Sequence, residues 1–161
     1  MSRTLKAKAY ALTIAIMLGS AQMAVAGPFE DGAAAYARGE FATALTLLRP
    51  LADQGNANAQ NALGVMFVNG EGVAQDYAEA HKWYQRAANQ GYAKAQGNLG
   101  VMYFNGEGVA QDYIEAYKWF DLAGRGGFEE ALKYRNLVSD RMTPEQIDDA
   151  KRRAGTWKPA Q

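Results

Sequence analysis

Few side chains in this 161-residue chain are of a type that acts on a substrate, and their spacing argues against most of the chemistry they suggest. There is no cysteine, which excludes disulfide frameworks, zinc knots and thiol catalysis. The single histidine, His81, corresponds across a 36-residue offset to Tyr117. A general base needs a partner, and a position that tolerates tyrosine points to edge packing instead. After residue 20 the one serine is Ser139, with Met142 three positions on, so no serine-x-x-lysine nucleophile is present. Glu71, Asp76, Glu107 and Asp112 flank two glycine loops and hint at calcium, but they lack the alternating oxygen ligands of an EF-hand. Helix capping accounts for the two aspartates, and solvent exposure for the two glutamates. Gly70-x-Gly72 follows a helical pattern and not a strand, so it is no dinucleotide fingerprint. Paired carboxylates for glycoside cleavage stay open, with nothing to single out a pair. No metal and no cofactor is expected.

The elements that carry these residues are written twice. Leu63 to Tyr77 reads LGVMFVNGEGVAQDY and Leu99 to Tyr113 reads LGVMYFNGEGVAQDY, displaced by 36 positions. A fixed period of this length is the mark of stacked helical hairpins. Ala59, Ala62, Leu63, Met66 and Phe67 form a helical stripe, which Asn69-Gly70-Glu71-Gly72 breaks. Asp76 caps a second helix bearing Tyr77, Ala80, Trp83, Tyr84, Ala87 and Ala88, which closes at Gly91. The cycle recurs through Asp112, Trp119 and Gly126-Gly127.

Small residues at Gly64, Gly100, Ala80, Ala116, Ala87 and Ala123 are expected where the two helices of a hairpin cross closely. Tyr77, Trp83, Tyr113 and Trp119 are expected to fill the space between hairpins. Upstream, Glu40-Phe41-Ala42-Thr43-Ala44 falls in the same register after a shorter turn. Downstream, Arg135-Asn136 stands where Leu99-Gly100 would recur, and Thr143-Pro144-Glu145-Gln146 starts a last helix. Trp157 either packs back or swings free, and the tail from Lys158 is expected to be disordered.

The first 26 residues are of another kind. Arg3, Lys6 and Lys8 precede the apolar run AYALTIAIMLGSA, which ends at Ala24-Val25-Ala26. These are the three parts of a secretory signal peptide, with cleavage expected after Ala26; an uncleaved membrane anchor is the other reading of the run. Cleavage leaves fourteen basic against seventeen acidic residues, a balance that argues against nucleic acid or an anionic bilayer as ligand.

The organisation is therefore a leader (1–26), an atypical N-terminal hairpin (27–56), repeats at 57–91 and 92–127, closing helices (128–155) and a flexible tail (156–161). The repeated residues resemble the Sel-one-like repeat (SLR) family of tetratricopeptide-like solenoids. Ala95, Leu99, Gly100, Tyr103, Gly106, Gly108, Val109, Asp112, Ala116, Trp119, Ala123 and Gly127 match its pattern; Gly124 departs from it at the second alanine. Ala59, Leu63, Gly64, Gly70, Gly72, Val73, Asp76, Ala80, Trp83, Ala87, Ala88 and Gly91 match too, with Phe67 for tyrosine.

The fold this resemblance implies is all-α: a right-handed α-solenoid of stacked antiparallel hairpins with a closing helix pair. The function it implies is a non-catalytic scaffold, often in the bacterial envelope. On that reading the protein is periplasmic or secreted and monomeric. It binds a peptide or envelope protein on the concave face lined by the first helices, at Asn58, Asn61, Val65, Val68, Lys94, Gly97, Val101 and Phe104. Phe104, which replaces Val68 of the preceding repeat, either anchors the partner or packs under the closing helix. The alternatives are a small cell-wall-acting enzyme or enzyme inhibitor using Glu71 and Glu107, and an adaptor held at the membrane by an uncleaved leader.

Overall fold

The computed structural model of the chain describes residues 27–160; the expected leader lies outside them. Among the described residues there are eight helices and no strand: α1 (Pro28–Ala37), α2 (Phe41–Asp53), α3 (Ala57–Asn69), α4 (Tyr77–Asn89), α5 (Ala93–Asn105), α6 (Tyr113–Arg125), α7 (Ala131–Ser139) and α8 (Pro144–Thr156). Helices α1–α2, α3–α4 and α5–α6 pair as hairpins, and α2–α3, α4–α5 and α6–α7 join each hairpin to the next. This is an α-solenoid, as the repeat requires. Local chemistry sets its boundaries. Gly70 and Gly106 end α3 and α5 with φ of 70° and 73°, a left-handed geometry that side chains disfavour. Asp76 and Asp112 accept backbone N–H groups at the starts of α4 and α6. Thr143 and Gln146 form a reciprocal capping box before α8.

The hairpins close around missing side chains. A Cβ on Gly100 would lie 2.6 Å from the Phe120 ring, and one on Gly64 would collide with Tyr84. The rings that press on the glycines are thus Tyr84 and Phe120, one position beyond the tryptophans. Trp83 and Trp119 instead fill the seams between hairpins, as expected: Trp83 is buried with Leu48 and Leu63, and Trp119 with Ala88 and Leu99. The N-terminal hairpin obeys the same rule through a glycine that the 36-residue period does not reveal. A Cβ on Gly32 would meet Leu48, because the shorter turn after α1 shifts the register. Glu30 and Asp31 are then exposed where α3 carries the buried Ala62 and Leu63, so a polar face closes this end of the stack.

Two further devices lock each hairpin to the one before. Gly72, at φ 73°, approaches the backbone of Phe41, where a Cβ would lie 2.8 Å from its carbonyl oxygen; Gly108 meets Tyr77 in the same way. Buried Gln60 donates to Ala52 O (3.0 Å) and buried Gln96 to Ala88 O (3.2 Å), each satisfying a carbonyl at the end of the previous hairpin. At the third such junction the pair is exchanged. Leu132 replaces the glutamine and Gly124 the alanine, and the leucine fills the space that a Cβ on Gly124 would need. The departure at Gly124 is therefore half of a compensated pair.

Beyond α7 the solenoid stops. Asn136 occupies the position of Gly64 and Gly100, so no partner helix can cross α7 closely. Helix α8 packs on α6 instead, burying Ala150 and Ala154, while Arg153 reaches Glu115 (2.9 Å). Trp157 packs back on Trp119 with ring centroids 6.2 Å apart at 71°. The expectation of a disordered tail is corrected up to residue 160. Ala160 N–H donates to Asn89 O (2.7 Å), because the anchored Trp157 leads the chain across the end of α4.

Gly100→Ala is expected to lower stability by about 1–3 kcal/mol despite alanine's better helix propensity, because the methyl group overpacks Phe120. Denaturant unfolding checks this; a variant as stable as the parent would show that the crossing has slack. Gly124→Ala should cost a similar amount alone. Combined with Leu132→Gln it should recover part of the loss, with a coupling of about 1 kcal/mol in a double-mutant cycle.

Candidate interaction surface

The residues read as partner-binding divide into two groups. Asn58 is exposed on α3. Asn61 is half-buried and accepts a hydrogen bond from Asn98 Nδ2 (3.0 Å), which ties α3 to α5. Val68 is half-buried, its carbonyl held by Gln75 Nε2 (2.6 Å). Lys94 is half-buried and lines a shallow depression of about 320 Å³ with Tyr92, Gly126, Gly127 and Phe128.

The other four are not on a surface. Val65 is buried against α4 and α5 residues. Gly97 lies beneath Phe128, whose ring leaves no room for a Cβ (2.8 Å). Val101 is 3 % exposed and Phe104 2 %, in a cluster with Val138 and Ala150 of the closing helices. Arg141 stacks over the Phe104 ring at 4.8 Å and Tyr113 lies 5.6 Å from it. Of the two readings of Phe104, packing under the closing helices is correct. Gly97, Val101 and Phe104 are covered because the second repeat is the last and what closes it follows no period, whereas Val65 is covered within the regular stack. The open part of the first-helix face is thus carried by α3, with Lys94 at its margin.

Most of the titratable candidates are occupied structurally. Glu71 is not simply solvated: it accepts from Tyr36 Oη (2.5 Å) and Asn69 Nδ2 (3.2 Å), fastening the first repeat loop to α1. Burial, then the Glu71 hydrogen bond and charge, push the Tyr36 hydroxyl far above the ordinary tyrosine value. Asp76 and Asp112 are caps, and Ser139 Oγ donates to Asn136 O. His81 meets Tyr103 edge-on, ring centroids 5.5 Å apart and Nε2 3.4 Å from the hydroxyl. Among the described residues no group of three or more His, Asp or Glu side chains is placed to hold a metal ion, and no helix is long and apolar enough to cross a membrane.

One feature of the surface had no signal in the sequence. Arg49 from α2 and Arg86 from α4 both lie over the Trp83 ring, at 5.7 and 4.5 Å from its centroid. Nothing in the repeat register brings 49 to 83.

Burial holds His81 below the ordinary histidine range. The unfolded chain therefore binds the proton more readily, so this contribution to stability is complete above about pH 6.5 and fades as pH falls through that value. Thermal melts of wild type and His81→Gln should diverge in slope below about pH 6.5, wild type losing stability faster. Parallel slopes would mean that the imidazole titrates alike in both states.

No curated protein sequence matches the chain. It is similar to the solved structure of a protective antigen of uropathogenic Escherichia coli displaying an SLR fold. That likeness has 32 % identity and a TM-score of 0.75, and covers 78 % of this chain but 28 % of the antigen. It is also similar to a Sel1 repeat protein from Oxalobacter formigenes, with 29 % identity and a TM-score of 0.66 over 82 % of this chain and 55 % of that one. The chain thus spans about a quarter and about half of these relatives' lengths. Sel1 repeats are a protein-interaction scaffold. The Sel1 repeat family model matches residues 57–92 and 93–128, each ending one residue past the boundary read from the sequence. With that match falling on α3–α6, the interlocked hairpins of this chain are two Sel1 repeats, set in the SLR fold of the structures it resembles.

Proposed function

We propose that this protein is an exported, non-catalytic interaction module that holds a peptide or envelope protein on the first-helix face of its Sel1 repeats. The observation that carries the reading is the contrast between α3 and α5. Both belong to near-identical segments, yet the face of α5 is sealed by Phe128 and the closing helices while that of α3 remains open at Asn58, Asn61 and Val68. An interaction face on this chain is therefore short, which suits a peptide or a single helix better than an extended surface. Amide groups on its rim offer hydrogen bonds, and Lys94 adds a positive charge at its edge. Export rests on the leader pattern at 1–26 and the Ala24-Val25-Ala26 site. The enzyme alternative loses its best residue, since Glu71 is engaged by Tyr36 and Asn69.

Site-specific photocrosslinking in the native cells tests this. Crosslinkers at Asn58 and Lys94 should trap one and the same protein, and a crosslinker at Asp148 on α8 should not. Equal trapping from all three positions, or none from the first two, would overturn the assignment. The mature product should begin at Gly27; recovery of intact Met1 would refute export by cleavage.

A further inference from the structure

We infer that the α2–α4 face around Trp83 is a second docking surface, and that it takes an acidic peptide segment of a protein partner. The inference does not depend on the α3 face or on export.

It starts from two arginines that share one indole. Arg49 and Arg86 are exposed, and their guanidinium carbons lie 5.7 and 4.5 Å from the centroid of the Trp83 ring. The two charges are therefore within about 10 Å of each other, close to the distance over which salt screens them. Neither has an ion pair among the described residues, although most other arginines in this chain find a carboxylate. Asp53, one turn from Arg49 on α2, makes none with it, and Glu79 on α4 is taken by Lys82. Two guanidinium groups held at fixed positions by an aromatic platform, with no counter-charge, present paired donors to incoming carboxylates.

The repeat supplies the second line of evidence, because the same site occurs again 36 residues on and is filled. Trp119 is the counterpart of Trp83; Leu122 stands for Arg86 and Gln85 for Arg49. There the chain's own C-terminal segment lies over the indole. Trp157 stacks on Trp119, Arg153 pairs with Glu115, and Ala160 bonds to the end of α4. This class of surface accepts a polypeptide, as the chain shows in cis. At the filled copy the one cation over the indole, Lys118 at 4.3 Å from the Trp119 centroid, is neutralised by Glu115, and Leu122 is buried. At the Trp83 copy, where the indole is itself 2 % exposed, the exposed Arg49 and Arg86 that cover it have no carboxylate partner among the described residues. The two exchanges change the occupant's chemistry from aromatic to acidic: carboxylates to bridge Arg49 and Arg86, and apolar side chains to lie along the arginine stems. A nucleic acid also carries anions, but the acidic balance of the chain after the leader opposes a polyphosphate.

The test uses ¹⁵N-labelled protein, in which Trp83, Trp119 and Trp157 give separate indole N–H signals assignable by Trp→Phe variants. Trp83 Nε1 and Trp119 Nε1 are both buried beside their own sites, so each signal reports on the packing of one indole. The probes are a capped 12-residue peptide of alternating glutamate and leucine, the same peptide with lysine for glutamate, and a 12-nucleotide oligo-dT. The glutamate peptide should move the Trp83 signal saturably and leave that of Trp119 in place. Arg49→Gln/Arg86→Gln should weaken binding at least tenfold. Arg49→Lys/Arg86→Lys, which keeps charge and stems, should bind more tightly than the glutamine pair. Lys133→Gln/Lys151→Gln, with the same loss of charge elsewhere, should bind as wild type does. Equal binding of the lysine peptide or the oligonucleotide, undiminished binding by the glutamine pair, or an equal loss in the Lys133/Lys151 control would each overturn the proposal.

Discussion

The contact on which this molecule depends is a ring lying on a helix where a side chain has been omitted. Gly64 receives Tyr84, Gly100 receives Phe120 and, in the divergent first hairpin, Gly32 receives Leu48. Helix axes approach as closely as their bulkiest facing residues allow, so the glycine fixes how tightly each hairpin closes. That closeness makes the other links possible. The second loop glycine can reach the preceding backbone, and the amides of Gln60 and Gln96 can reach the preceding carbonyls, only if each hairpin is held at one spacing. A buried amide that missed its carbonyl would cost about 1–3 kcal/mol, so the polar links punish any drift in the apolar ones.

The same constraint explains where the array ends. At the N-terminus the crossing glycine is kept but the outward face turns charged at Glu30 and Asp31, so the hairpin forms and accepts no neighbour. At the C-terminus the solution differs: Asn136 replaces the glycine, the next helix cannot close on α7, and α8 lies on α6. One end is capped by what it shows to solvent, the other by being unable to fold further in the same way. The second solution also accounts for the burial of Phe104 and Val101, because the displaced closing helices share a core with the last repeat.

Much of this was legible in the residues. Two near-identical segments, their loop glycines and the aspartates ahead of each second helix set four boundaries to within a residue or two, since capping and left-handed glycine are local effects. The Thr143–Gln146 box did the same for α8. What fails is inference by translation: register puts Val101 on a free face and leaves Phe104 open between that face and the closing helix, but the environment of a terminal repeat is made by residues outside the period. Gly32 was hidden by a four-residue change in turn length. Arg49 and Arg86 were invisible for another reason, as surface arginines differ in the sequence from their neighbours only once their distance to one indole is known.

The Gly124–Leu132 exchange has an evolutionary corollary. Because the final junction uses a different lock and key from the internal ones, the unit that can be duplicated without remodelling is the span bounded by two glutamine junctions, Gln60 and Gln96. A copy inserted there inherits matching joints on both sides, whereas a copy appended after the last repeat meets an alanine-to-leucine clash. Lengthening of this array by recombination is therefore biased to its interior, and lineages with more repeats should retain the same terminal leucine while multiplying the glutamines.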